Sequence, residues 1–85
     1  MERIHELRIY PEDFEQVLNG SKPFVVIEND KKYRAGDTVL MREWNNQCCS
    51  GKEIHGTILS VTDDWTPGIE KGYAVIFIRI FRVIV

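Results

Sequence analysis

Short apolar stretches separated by turn residues recur along the chain, and most have the length and composition of β-strands. The first, residues 4–9, alternates imperfectly between apolar and polar positions. The second, residues 24–27, is continuously apolar, which is typical of a strand covered on both faces. The later stretches predict further strands at residues 38–44, 53–62 and 73–85.

One stretch has helical spacing instead. Pro11 suits the first position of a helix, and the two acidic residues that follow it complement the positive end of the helix dipole. Gly20 is placed to end the helix. Three apolar residues, three and four apart, form one buried stripe: Phe14, Val17 and Leu18. So short a helix is marginal alone and is expected to dock on a sheet.

These elements predict a mainly β fold with one or two short helices and five or six strands. Strands and helices do not alternate, which favours a small curled sheet or barrel over a doubly wound fold. A closed sheet also removes the exposed edges that such apolar strands would otherwise present. The 85 residues are expected to form one domain, residues 1–85.

The strand at residues 38–44 is the most informative element. It follows Gly36, which supplies the positive φ of a tight turn, and Asp37, which can hydrogen-bond its own backbone. If alternation holds, Arg42 and Trp44 share one face of this strand. A guanidinium beside an indole can hold a phosphate and stack on a base. The alternative is an Arg stacked on Trp for local stability.

The charge distribution limits how the chain can bind nucleic acid. Its net charge is −2, which argues against binding by bulk electrostatics alone. The segment from Lys22 to Arg42 contains five basic and three acidic residues, so it carries +2 and the remainder −4. The alternative interpretation of this segment is a solvated charged hairpin.

Other features of the sequence indicate the expected cellular location and whether a metal is expected. The first residues lack an apolar region and no run reaches membrane length, so neither a signal peptide nor membrane association is expected. Cys48 and Cys49 are adjacent in a predicted polar loop and too few for a disulfide framework, which suits the cytoplasm. Together with His55 they lack the usual zinc spacing, so no metal and no cofactor is expected. His5 is interpreted as a packed histidine, and Trp65 as an anchor of its loop.

A series of residues in register resembles the ASCH domains of the PUA-like superfold. Within them, the chain is similar to small bacterial and phage proteins of the DUF3850 type that begin with His-Glu-Leu, and to domains of an activating signal cointegrator. The matching residues are His5 to Ile9, Pro11, Phe14, Val17, Leu18, Gly20, Lys22, Phe24, Asn29, Asp30, Gly36, Asp37, Leu40, Arg42, Glu43, Trp44, Ser50 to Lys52, Gly72 and Tyr73.

The resemblance implies a pseudo-barrel with a helix at its side and a cleft near the helix-to-strand junction, which in the family is the presumed nucleic-acid or nucleotide site. Some small members resemble amidohydrolases that act on an acylated cytidine. Here Lys22 of the family pattern is present, but Val25 stands at the glutamate or threonine position and Ile27 at the arginine position. Neither side chain can transfer a proton or act as a nucleophile, so a catalytic role is not favoured.

The expected function is therefore a non-catalytic module that binds RNA or single-stranded nucleic acid. Two alternatives remain: a small amidohydrolase or nucleotide-processing enzyme, and a protein-interaction or phage accessory module. The chain is expected to be a monomer, or a homodimer formed through its C-terminal strand. Lys22 can instead simply complement the negative end of the helix. The expected site places Lys22, Arg42 and Trp44 in the cleft and Asn29, Asp30, Lys31 and Arg34 on its rim.

Overall fold

A computed structural model describes residues 3–30 and 32–85, so the predicted site residue Lys31 lies outside the described residues. The described chain contains one helix and five strands. In chain order these are β1 (Ile4–Ile9), α1 (Pro11–Leu18), β2 (Phe24–Glu28), β3 (Thr38–Trp44), β4 (Cys49–Thr62) and β5 (Tyr73–Ile84).

The five strands form one sheet in the order β1, β3, β4, β5, β2. β1 runs parallel to β3, whereas the pairs β3 with β4, β4 with β5, and β5 with β2 are antiparallel. The sheet curls into a half-barrel, which confirms the mainly β prediction with five strands and one helix. β1 and β2 stand at the two ends of the strand order.

The short helix α1 covers part of the curled sheet. Proline occupies its first turn, acidic residues follow, and the preceding Tyr10 is extended. The buried residues of the helix are Phe14 and Val17, as the apolar spacing predicted, and they pack towards β3 and β2. They join a core contributed by all five strands and by Tyr33: Ile9, Val25, Val39, Met41, Ile54, Ile58, Ile76 and Ile78.

The tight turn before β3 forms as predicted. Gly36 has φ +95°, which an L side chain rarely adopts, and its N–H donates to the carbonyl of Ile58 at 2.8 Å. The Asp37 carboxylate accepts a hydrogen bond from the backbone N–H of Arg34 at 3.2 Å. The turn thus joins the start of β3 to the middle of β4.

Three local expectations were wrong. β4 begins at Cys49, within the predicted loop, because the Asn45 side chain accepts hydrogen bonds from the backbone N–H groups of Gln47 and Cys48 and closes a tighter turn. β2 is not covered on both faces: Val25 is buried, whereas Val26, on the opposite face of the strand, is 58% exposed. Trp65 is 88% exposed, so burial of its ring does not anchor its loop.

Gly56 lies where two strand backbones approach closely. A Cβ atom at this position would stand 3.1 Å from the carbonyl oxygen of Arg79. The register of β4 against β5 shifts between His55 and Gly56, which marks a bulge. Beyond Ile78, β5 pairs only with β4 among the described strands. Homodimer formation through this edge stays a prediction.

Candidate functional site

A groove of about 920 Å³ lies between the two end strands of the sheet. We call it the seam groove, because β1 and β2 both line it without pairing with one another. Its volume is within the range of small-molecule and cofactor sites. The lining residues are Glu6, Leu7, Arg8, Val26, Ile27, Glu28, Asp30, Tyr33, Arg42, Cys49 and Tyr73.

A buried polar pair supports one side of the seam groove. The Nε2 atom of His5 lies 2.8 Å from Oδ2 of Asp37, and both residues are buried. The His5 ring also contacts the ring of Tyr33, with centroids 4.5 Å apart. The hydrogen bond from His5 is the main reason that the pKa of Asp37 is lowered, although burial opposes it. His5 is therefore a packed residue, as predicted, and it holds Tyr33 against the start of β3.

Tyr33 presents a polar group to the seam groove from an otherwise buried side chain. The residue is 7% exposed, and its hydroxyl has no hydrogen-bond partner among the described residues. Burial, and secondly the negative charge of Asp30, raise the pKa of Tyr33 above its ordinary value. The phenol is therefore neutral at physiological pH and can donate a hydrogen bond.

Two arginines from adjacent strands also line the seam groove. Arg8 of β1 lies directly opposite Arg42 of β3 in the parallel register. Nη2 of Arg42 stands 3.4 Å from Oε1 of Glu6, an exposed contact that offsets part of one positive charge. The Nε atom of Arg42 is buried and lacks a hydrogen-bond partner in the described part of the chain. The pair concentrates positive charge where an anion could bind.

An aromatic pair adjoins the arginines. The rings of Tyr10 and Trp44 lie 5.9 Å apart, and Tyr10 is 54% exposed. The guanidinium carbon of Arg8 lies 5.7 Å from the centre of the Trp44 ring. Arg42 and Trp44 belong to the same face of β3, as the alternation predicted, but the cation over the indole is Arg8.

The other predicted site residues are spread over a wider area. Asp30 lines the seam groove with Arg42, whereas Lys22 lines a second concavity of about 120 Å³ together with Asp13 and Phe24. The two concavities share Val26 and therefore adjoin. Asn29 donates its backbone N–H to the carbonyl of Gly72 at 2.9 Å, just after β2 ends.

Arg34 is exposed and contributes its backbone to the turn before β3. Arg8 and Tyr10 were not among the predicted site residues. Alternation along residues 4–10 does place them on one face, and this was the available signal. Their proximity to Arg42 and Trp44 depends on the parallel pairing of β1 with β3, which the pattern within either strand does not reveal.

No group of three or more potential metal ligands of the His, Cys, Asp or Glu type lies together within residues 3–30 and 32–85. Over the same residues, the structure has no helix with the length and apolar composition needed to cross a membrane. Cys48 and Cys49 are exposed free thiols.

The fold and the groove define a class of small, mostly β proteins in which one helix covers a curled sheet and a groove follows the open side between its end strands. The chain belongs to the family described as a domain of unknown function, DUF3850, which it matches over residues 4–78. It is also 34% identical over 67 residues to the uncharacterized 12.9 kDa protein in the GpA 3' region of Escherichia phage P2. That match covers 76% of this chain, and the chain spans 62% of the length of the relative.

Proposed function

We propose that this protein is a non-catalytic module that binds RNA or single-stranded nucleic acid. The observation that carries the proposal is the Arg8 and Arg42 pair beside the exposed Tyr10 ring and the half-buried Trp44 ring. Guanidinium groups bind phosphate oxygens through forked hydrogen bonds, and aromatic rings stack on unpaired bases. The site combines both contacts within two adjacent strands.

The local charge distribution favours a short, directed contact over a broad electrostatic one. The protein carries −2 overall, so phosphate binding depends on where its few cations lie. Two of them line the seam groove, and Lys22 lines the adjoining concavity. A single strand that enters at the arginines could continue towards Lys22 along the shared residue Val26. A duplex would hide its bases from the aromatic rings.

The resemblance to ASCH domains supports the same function, because the cleft of that PUA-like superfold is a presumed nucleic-acid or nucleotide site. The positions at which related proteins carry catalytic groups are occupied by Val25, which is buried, and Ile27, which packs against the core. Apolar side chains in these places supply no nucleophile or proton carrier. The free thiols at Cys48 and Cys49 agree with a cytoplasmic location.

The direct test is a fluorescence-anisotropy titration with a short single-stranded RNA, the matching DNA and a duplex, each at two salt concentrations. We expect salt-dependent binding that is tighter for a single strand than for the duplex. Absence of binding to all three would refute the proposal and leave a modified nucleoside or a protein as the ligand to seek.

A further inference from the structure

We propose that the seam groove selects bases with the hydrogen-bonding edge of cytosine and adenine, with Asp30 accepting from the amino group and the Tyr33 hydroxyl donating to the ring nitrogen. This inference rests on the proposed function and adds to it a class of preferred base. It follows from how donors, acceptors and charges are distributed in the groove.

The two sides of the seam groove carry opposite charges. On one side Arg8 and Arg42 outnumber Glu6 on β1 and β3, whereas on the other side Glu28 and Asp30 come from the end of β2 and the residues after it. Neither carboxylate forms an ion pair or hydrogen bond with another described residue, so both are free to accept. A phosphate is attracted to the arginine side and repelled from the carboxylate side. The nucleotide therefore enters with its base towards Asp30.

Tyr33 supplies the second, independent feature. Its side chain is more than nine-tenths buried, its ring is held against His5, and its hydroxyl lacks a hydrogen-bond partner in the described part of the chain. Tyr33 and Asp30 both line the seam groove, and the charge of Asp30 contributes to the raised pKa of Tyr33. A hydroxyl donor and a carboxylate acceptor thus belong to the same groove.

This donor and acceptor pair complements two of the common bases. Cytosine and adenine each present an amino donor next to a ring nitrogen that accepts. Uracil and hypoxanthine present the reverse, a carbonyl acceptor next to a ring N–H donor. With those bases a carbonyl oxygen would face the Asp30 carboxylate. The two acceptors would repel each other, and the carboxylate would be left without a hydrogen-bond donor. The groove should therefore favour cytosine over uracil and adenine over hypoxanthine.

The test uses fluorescein-labelled eight-nucleotide RNAs in two matched pairs, oligo(C) with oligo(U) and oligo(A) with oligo(I). Within each pair the amino group is exchanged for a carbonyl on the same ring system. We expect wild-type protein to bind the amino-bearing member roughly tenfold more tightly, as one charge-assisted hydrogen bond would provide. Asp30→Asn and Tyr33→Phe should each reduce this preference.

Glu70→Gln is the matched control, because it removes one exposed negative charge outside the seam groove. This variant should bind all four RNAs slightly more tightly and keep the preference. Equal wild-type binding to both members of each pair would overturn the inference while the proposed function stands. So would a preference that survives in both Asp30→Asn and Tyr33→Phe. Absence of binding to these RNAs and to the matching single-stranded DNAs would overturn the proposed function itself.

Discussion

Arg8 and Arg42 lie directly opposite each other in the parallel pairing of β1 and β3. Like charges in neighbouring positions repel each other, and the exposed contact of Arg42 with Glu6 and the carboxylate of Glu53, opposite Arg42 on β4, offset part of the repulsion. Arg8 gains a contact with the face of Trp44 instead. A bound phosphate would relieve the repulsion, because its oxygens can accept from both guanidinium groups.

Removal of either arginine should weaken binding to single-stranded RNA and lower its salt dependence. Each phosphate contact on a single strand contributes about −0.7 to the slope of log K against log salt. Arg8→Ala and Arg42→Ala should therefore each reduce that slope by up to about 0.7, as measured by anisotropy between low and moderate salt.

Lys71→Ala provides the control for these variants, because Lys71 is exposed and does not line the seam groove. It should leave the slope nearly unchanged. If all three variants lose affinity equally, binding follows overall charge and the arginine pair is not the phosphate site. Lys22→Ala then reports whether the strand also reaches the adjoining concavity.

Substitution of Trp44 should weaken binding in a different way. An aromatic ring that stacks on a base contributes about 1–3 kcal/mol, and this contribution depends little on salt. Trp44→Ala should therefore lower the affinity at every salt concentration without changing the slope, while Trp44→Phe should retain part of the affinity. Trp65→Ala is the matched control, since Trp65 is 88% exposed and lies outside the groove. Equal losses in both Ala variants would contradict the assignment.

Local patterns predicted most of the fold because its strands and helix follow their own periodicities. β1, α1 and β3 begin where the sequence indicated, since alternation, a helix-starting proline and a glycine turn are local signals. The start of β4 was missed because a single side chain, Asn45, tightened the turn before it. The exposure of Val26 on β2 was missed because a run of apolar residues does not show whether other segments cover both faces of its strand.

The candidate site was predictable only in part, for the same reason. Arg42 and Trp44 were found from alternation within one strand, and Asp30 from the family resemblance. Arg8 comes next to Arg42 through the pairing of β1 with β3, and Tyr33 lines the same groove. These contacts connect segments more than 20 residues apart, and no local pattern specifies them. Lys22 lines an adjoining concavity, because it belongs to the segment between the end of α1 and the start of β2.

Gly56→Ala should destabilise the sheet by about 1–3 kcal/mol, the usual cost of inserting a methyl group into a well-packed site. The added Cβ would lie 3.1 Å from the Arg79 carbonyl oxygen, a backbone atom that cannot rotate away. Urea denaturation measures the change. Ser60→Ala is the control, because Ser60 is an exposed residue of the same strand and should shift stability by less than about 0.5 kcal/mol. An unchanged midpoint for Gly56→Ala would show that β4 and β5 separate easily at this bulge.

The contact between His5 and Asp37 should make stability depend on pH in the acidic range. Since the pKa of Asp37 is lowered from 3.8 in the folded state, folding favours the ionised carboxylate. Its contribution is complete above pH 3.8 and is lost as the pH falls through the lower folded pKa. At pH 7, Asp37→Ala should cost about 1–3 kcal/mol, because the variant removes the partner of His5 and of the Arg34 N–H.

The difference between wild type and Asp37→Ala should shrink as the pH is lowered from 5 towards 2, in denaturation curves measured at each pH. Glu70→Ala serves as the control, since its exposed carboxylate has no ion-pair partner among the described residues and its removal should change stability little at any pH. A constant difference between wild type and Asp37→Ala over this range would contradict the prediction, because it would mean that folding does not lower the pKa of Asp37.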